Sequence, residues 1–317
     1  HLPPQQVAAA SIRTVIDSLS ACPTLHSISM DVADKLWIET MLDRATTQEL
    51  FRFKKGRSRQ AHKMAAIRRM QQTEIWTSRE KIASGLFLVN LIAKETGLIQ
   101  IVREDLPHKK QRVVKATDEC MAWINEVKEQ QELMTPNYLP MVIPPKPWSS
   151  PSNGGYYTKT PLKLFKSNNE IIETNCTGKE PVYQAANIHQ SIGWKINEWM
   201  REQIEHASDN NLEVGALLPR EGWPIPPYPK HLDENDLGVL NWRRKAKILH
   251  EKNERTRNKR IANAKILWIA RRFKDEDQIY FPMSLDFRGR FYYRPPYLNP
   301  QGNDISRSLL LFANAKP

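Results

Sequence analysis

Proline removes a backbone donor and fixes φ, so a segment dense in it forms neither helix interior nor central strand. This chain holds two such segments. One is TPNYLPMVIPPKPWSSPSNGGYY, residues 135 to 157, with Pro136, Pro140, Pro144, Pro145, Pro147 and Pro151; the other is LPREGWPIPPYP, residues 218 to 229. Regular structure must therefore lie before, between and after them. We take the two stretches as borders, the first closing a unit of residues 1 to about 150.

Before the first border the pattern is helical. Val7, Ile12, Val15, Ile16 and Leu19 recur at helical intervals, as do Ile82, Leu86, Val89 and Ala93, with Ser78 as N-cap and Gly97 as a left-handed C-terminal cap. Residues 98 to 115 change period. LIQIVR and RVVK flank the polar connector EDLPHKKQ, which reads as a hairpin without a tight two-residue turn. Thr117 then caps a helix bearing Met121, Ile124 and Val127 on one face. Between the borders YQAANIHQSIGWKINEWMREQIEHA reads as one helix, and residues 236 to 274 read as a long one. The fold class expected is mainly α with minor β.

The protein has 317 residues, 40% of them hydrophobic, a formal net charge of +12 and a pI near 9.5. That supports a real core and fits a nucleic-acid binder or a polybasic membrane-surface protein. The charge is concentrated. Residues 243 to 274 carry thirteen lysines and arginines against Glu251 and Glu254. Their centre, EKNERTRNKR (251 to 260), has no apolar residue, which predicts a helix that projects into solvent or spans between partners. Lys252, Arg257, Lys259 and Arg260 are its candidate phosphate contacts. A second tract, residues 51 to 72, has eight basic residues and no acidic one, with no role specified.

No catalytic constellation is complete. Cys22, Cys120 and Cys176 are far apart and show no CxxC spacing, which favours a reducing, intracellular setting. The eight histidines form no metal-ligand cluster, and there is no GxxxxGK[ST] loop, serine elbow, membrane-spanning apolar run or signal peptide. Asp286 and Asp304 stand beside arginines and amides rather than further acids, so Asp286 is read as orienting a guanidinium rather than binding metal.

The segment DFRGRFYYRPPYLNPQGND, residues 286 to 304, is the most specific in the chain. Its D-x-x-G-R and N-P-Q-G-N-D motifs resemble the start of the palm in single-subunit, bacteriophage-type RNA polymerases, whose relatives include mitochondrial enzymes. VIPPKPWSSPSNGGYY (142 to 157) and YQAANIHQSIGWKIN (183 to 197) resemble, in the same order, the crossing before the thumb and the first thumb helix. The resemblance covers residues 80 to 317 and is weak before that.

The resemblance implies a helical N-terminal domain over 1–150, a crossing over 151–182, a thumb over 183–280 and the start of a palm over 281–317. It places Arg288, Arg290, Gln301, Asn303 and Arg307 on the template and RNA–DNA hybrid. It makes the basic helix the second thumb helix. It likens 98–115 to an intercalating hairpin that melts promoter DNA, with Leu106 at the tip and Pro107 stiffening the turn; an ordinary hairpin is the alternative. Two magnesium ions, the NTPs and the catalytic aspartates would belong to a C-terminal catalytic segment or chain, by two-metal nucleotidyl transfer. The chain by itself is expected to bind nucleic acid without synthesising RNA. The setting implied is phage-infected bacterial cytoplasm or a mitochondrion. The alternative function is a non-catalytic, polymerase-derived binding module or regulator.

Overall fold

A computed structural model describes residues 2–49, 76–106, 109–126, 134–151, 153–157, 163–166, 180–229, 236–286 and 288–314. The protein is mainly α with minor β. The first layer is helical: α1 (Pro4–Ser18), α2 (Leu25–Glu49) and α3 (Ser78–Thr96). Val15, Ile16, Ile28, Val32, Val89 and Ile92 are buried between them. α2 and α3 approach so closely at Gly85 that a Cβ there would stand 1.9 Å from the Ser29 carbonyl oxygen. The N-cap of α3 is Thr77, not Ser78. Thr77 and Glu80 form a reciprocal capping box, and threonine with glutamate three residues later satisfies two end groups where Ser78 would satisfy one. Gly97 closes the helix at φ +65°, as expected.

The hairpin is tighter than its composition suggests. β1 (Ile99–Leu106) and β2 (Lys109–Ala116) pair antiparallel from Ile99↔Ala116 out to Leu106↔Lys109, so the polar connector is absorbed into the ladder. Thr117 caps α4 (Asp118–Glu126) by accepting from the Cys120 N–H. Met121 and Ile124 join the core, while Val127 lies outside the described residues.

Two further expectations are corrected. The first proline-rich stretch contains a small hairpin, β3 (Lys146–Ser150) with β4 (Asn153–Gly155). Such an isolated pair tolerates Pro147, because little ladder depends on its missing N–H. Residues 183–207 are not one helix. α5 (Glu180–Gln190) ends, β6 (Trp194–Ile196) follows, and α6 (Glu198–Asp209) restarts on an Asn197 cap. The Trp194 backbone exchanges hydrogen bonds with Ile279, so tertiary pairing overrides helical periodicity.

α7 (Leu237–Arg272) is the long helix, 36 residues. After it, β7 (Met283–Asp286) lies between β8 (Phe291–Tyr293), antiparallel, and β5 (Phe165–Lys166), parallel. α8 (Asp304–Ser308) leads into β9 (Leu310–Phe312), which pairs with β6. One core runs from Val15 through Ile269 to Leu310, taking residues from both sides of the proline-rich stretches; a smaller one gathers Trp148, Leu164, Tyr183 and Met283. No helix among the described residues is long and apolar enough to cross a membrane.

Candidate nucleic-acid interface

The turn between β7 and β8 is built by one carboxylate. Asp286 Oδ1 accepts from the backbone N–H of Arg288 and of Arg290, each at 2.9 Å, and Oδ2 from the Tyr292 hydroxyl at 3.2 Å. Gly289 supplies the positive φ, +80°, that the turn needs. The donated hydrogen bonds, that of Arg290 first, hold the Asp286 carboxyl below the usual aspartate range. Asp286 thus orients the backbone of Arg288 and Arg290, and the Arg288 charge lowers its pKa further. Both arginines are exposed on the turn.

The N-P-Q-G-N-D residues are mainly architectural. Gln301 donates to the Phe291 carbonyl (3.0 Å) and accepts from the Tyr293 N–H (3.3 Å), bracing β8. Asn303 caps α8 through the Ser306 N–H (2.9 Å) and donates to Asn263 of α7 (3.1 Å). Arg307 is exposed and ion-paired with Asp304 one turn earlier.

On α7 the four predicted cations part company. Arg257 donates to the Ala116 carbonyl (3.0 Å) and pairs with Asp118, and Glu254 reaches Lys115 at 3.6 Å. Arg260 donates to the Arg220 carbonyl at 2.9 Å, and burial pulls its pKa below the arginine norm. Lys252 sits with Nζ 3.5 Å from the centre of the Trp223 ring. Lys259 is exposed. Of the two arrangements its composition predicts, the polar centre of the helix therefore takes the one with partners rather than the free one. It lies against β2, α4 and the second proline-rich stretch because nearly every polar group on that side finds a partner. The exposed part is nearer the N-terminus, where Leu237 is 76% and Ile248 64% accessible.

Leu106 ends β1, but its side chain and Pro107 lie outside the described residues, as do tract 51–72 and Cys176. Cys22 and Cys120 are free thiols, and burial pushes Cys120 up to about 11. Neither is a nucleophile at neutral pH. Among the described residues no group of three His, Cys, Asp or Glu could hold a metal ion. Asp286 and Asp304 are engaged as above, and so do not fit a magnesium site.

The sequence reading missed the joints. Lys265, fully buried, pairs with Asp17 Oδ1 at 2.9 Å and lies 5.0 Å from the centre of the Tyr297 ring, tying α7, α1 and the 286–304 segment together. It hides within a basic helix, where only its spacing from Ile261 and Ile269 hints at burial. Asn187 and Gln190 on α5 bind the backbone of Trp148 and Lys146, joining two stretches that sequence similarity had associated only in order.

Comparison with known proteins agrees in direction. A family model described as DNA-directed RNA polymerase N-terminal matches residues 96–174. The DNA-directed RNA polymerase of Enterobacteria phage T3 is 28% identical over 254 residues, 77% of this chain and 29% of that protein. T7 RNA polymerase of Escherichia phage T7 is 24% identical over 350 residues, covering 100% of this chain and 39% of the relative. The mitochondrial DNA-directed RNA polymerase 1 of Arabidopsis thaliana is 32% identical over 195 residues, 60% of this chain and 20% of its own length. The chain spans well under half the length of the relatives it matches. The similarity is to single-subunit, phage-type RNA polymerases and their organellar counterparts, in their N-terminal portion.

Proposed function

We propose that this chain is the N-terminal, thumb and palm-entry portion of a single-subunit, phage-type DNA-directed RNA polymerase. In that reading the units are 1–150, the crossing 151–182, the thumb 183–280 and the palm entry 281–317. The β1–β2 hairpin meets double-stranded promoter DNA at the edge of its melted region, with Leu106 and Pro107 at the tip. α7 follows the phosphates of the RNA–DNA hybrid, and Arg288 and Arg290 meet template and hybrid. Gln301 and Asn303 support that surface by bracing β8 and α8, and Arg307 adds charge. Magnesium ions and NTPs are handled by other residues of the complete enzyme, in a phage-infected cytoplasm or an organelle.

The observation that carries this reading is the turn at Asp286, whose carboxylate grips the peptide N–H groups of Arg288 and Arg290, both exposed residues on either side of Gly289. Such a turn presents two cations at a set spacing to a phosphate backbone. Replacing Arg288 and Arg290 by Gln should weaken binding of a short RNA–DNA hybrid about tenfold or more. It should also flatten the slope of log Kobs against log[NaCl] by nearly two. Fluorescence anisotropy across a salt series measures both. Unchanged affinity and slope would remove the turn from the interface.

A further inference from the structure

Residues 211–229, between α6 and α7, have no helix or strand, yet their course is regular. The Ala216 carbonyl accepts from Asn263 Nδ2 and the Arg220 carbonyl from Arg260 Nη1, both at 2.9 Å. Trp223 gives its N–H to Asn253 Oδ1 (2.8 Å) and takes Asn253 Nδ2 on its carbonyl (2.9 Å). The Pro226 carbonyl accepts from Trp242 Nε1 at 2.8 Å, and Tyr228 stands edge-on to the Trp242 ring. The helix partners descend through 263, 260, 253 and 242 as the strap ascends, so the two run antiparallel.

Their lengths agree. From Ala216 to Pro226, extended chain at about 3.1 Å per residue covers about 31 Å. From Asn263 back to Trp242, helix at about 1.5 Å per residue covers about 31 Å. The prolines fix φ and remove N–H groups that would otherwise need partners. Gly222 makes room for the clasp, since a Cβ there would lie 3.1 Å from the Asn253 amide.

We propose that this strap is a splint that sets the rotation of α7 and turns one stripe, Arg244, Arg255 and Lys259, towards the phosphates. Asn253 and Trp223 are the positioning residues. At about 100° per residue, Trp242, Asn253 and Arg260 share one side of the helix, and the buried Val239 and Ala246 lie within about 60° of them. Arg244, Arg255 and Lys259, all exposed, fall within about 60° of one another and roughly 140° away from the strap side. Over residues 253–263 the cations nearest the strap side, Arg257 and Arg260, are turned to carbonyls and Asp118, while Arg255 and Lys259 opposite are exposed. A helix whose outer half lacks a core would otherwise bend and roll, and its charges would not present a constant face. The inference rests on reading α7 as the hybrid-binding helix and adds which side of it binds and what holds that side in place.

The test separates charge from position. In the full chain, Arg255→Gln should flatten the salt slope for a short RNA–DNA hybrid by about 0.9. Arg257→Gln, on the strap side, should keep the parental slope. Asn253→Ala removes no charge, yet should flatten the slope by about one and weaken binding several-fold, because stripe contacts are lost when the helix rolls. In the free chain the same variant should speed amide exchange over residues 240–256. Trp242→Phe, which deletes the bond to Pro226 and trims the ring that Tyr228 stands against, should act in the same direction at smaller size, so a folding failure of Asn253→Ala leaves the question answerable. Parental exchange rates in both variants would overturn the splint. Accelerated exchange with parental slopes in Arg255→Gln and Asn253→Ala would instead overturn the stripe.

Discussion

Asn187 and Asn253 do the same work in two places. Each lays its amide against the backbone of a tryptophan, accepting from the N–H and donating to the carbonyl, at 2.7 and 3.1 Å on Trp148 and 2.8 and 2.9 Å on Trp223. A peptide group inside a proline-rich stretch has little ladder to join, and one asparagine satisfies both of its polar atoms. Asp286 solves the related problem in a turn, with its carboxylate taking two backbone donors. Its folded pKa is depressed, so its stabilisation is present above the unfolded value and is lost as pH falls through the folded one. NMR titration of the Asp286 side chain should therefore show a midpoint below the ordinary 3.8. The amides of Arg288 and Arg290 should lose protection over the same acid range. A midpoint at or above the ordinary value would mean that the turn is held by something else. The aspartate, its glycine and its arginines were legible as a motif; that the acid holds the backbone of both arginines was not, because composition is silent on reach.

At the scale of elements, the long helix, the hairpin, the Thr117 cap and the Gly97 stop were all readable, since period and capping chemistry are local. The break between α5 and α6 was not. Its cause lies more than eighty residues away, in β9 and at Ile279, which claim the backbone of residues 194–196. Gly85 shows the same dependence. Helix propensity alone favours Ala there by about 1 kcal/mol. The Ser29 carbonyl 1.9 Å from the added methyl reverses the sign, because main chain cannot step aside as a side chain can. Gly85→Ala should lower stability by about 1–3 kcal/mol net, read from the denaturant midpoint. A neutral or stabilising result would mean that α2 and α3 cross less closely than described.

Across the whole molecule, Asp17, Lys265 and Tyr297 tie the first helix, the longest helix and the most specific motif into one interior. Burial pulls Lys265 below the ordinary lysine pKa, against the pull of Asp17 beside it. Removing one partner of such a pair strands the other, so Lys265→Met should cost about 3–5 kcal/mol. The double variant with Asp17→Asn should recover part of it. Denaturant midpoints of the three variants give the coupling, and strict additivity would deny it. By itself the sequence determined the class, mainly α with minor β, the Gly97 and Thr117 caps, the basic reach of α7 and the polymerase-like motifs in their order. These depend on periodicity, backbone chemistry and residue type, which neighbours in the chain carry. Only the tertiary structure decided which cations of α7 face solvent, where the proline-rich stretches lie, and that a lysine in the most basic helix belongs to the core. Those outcomes depend on partners distant in sequence, whose geometry exists only once the chain has folded around them.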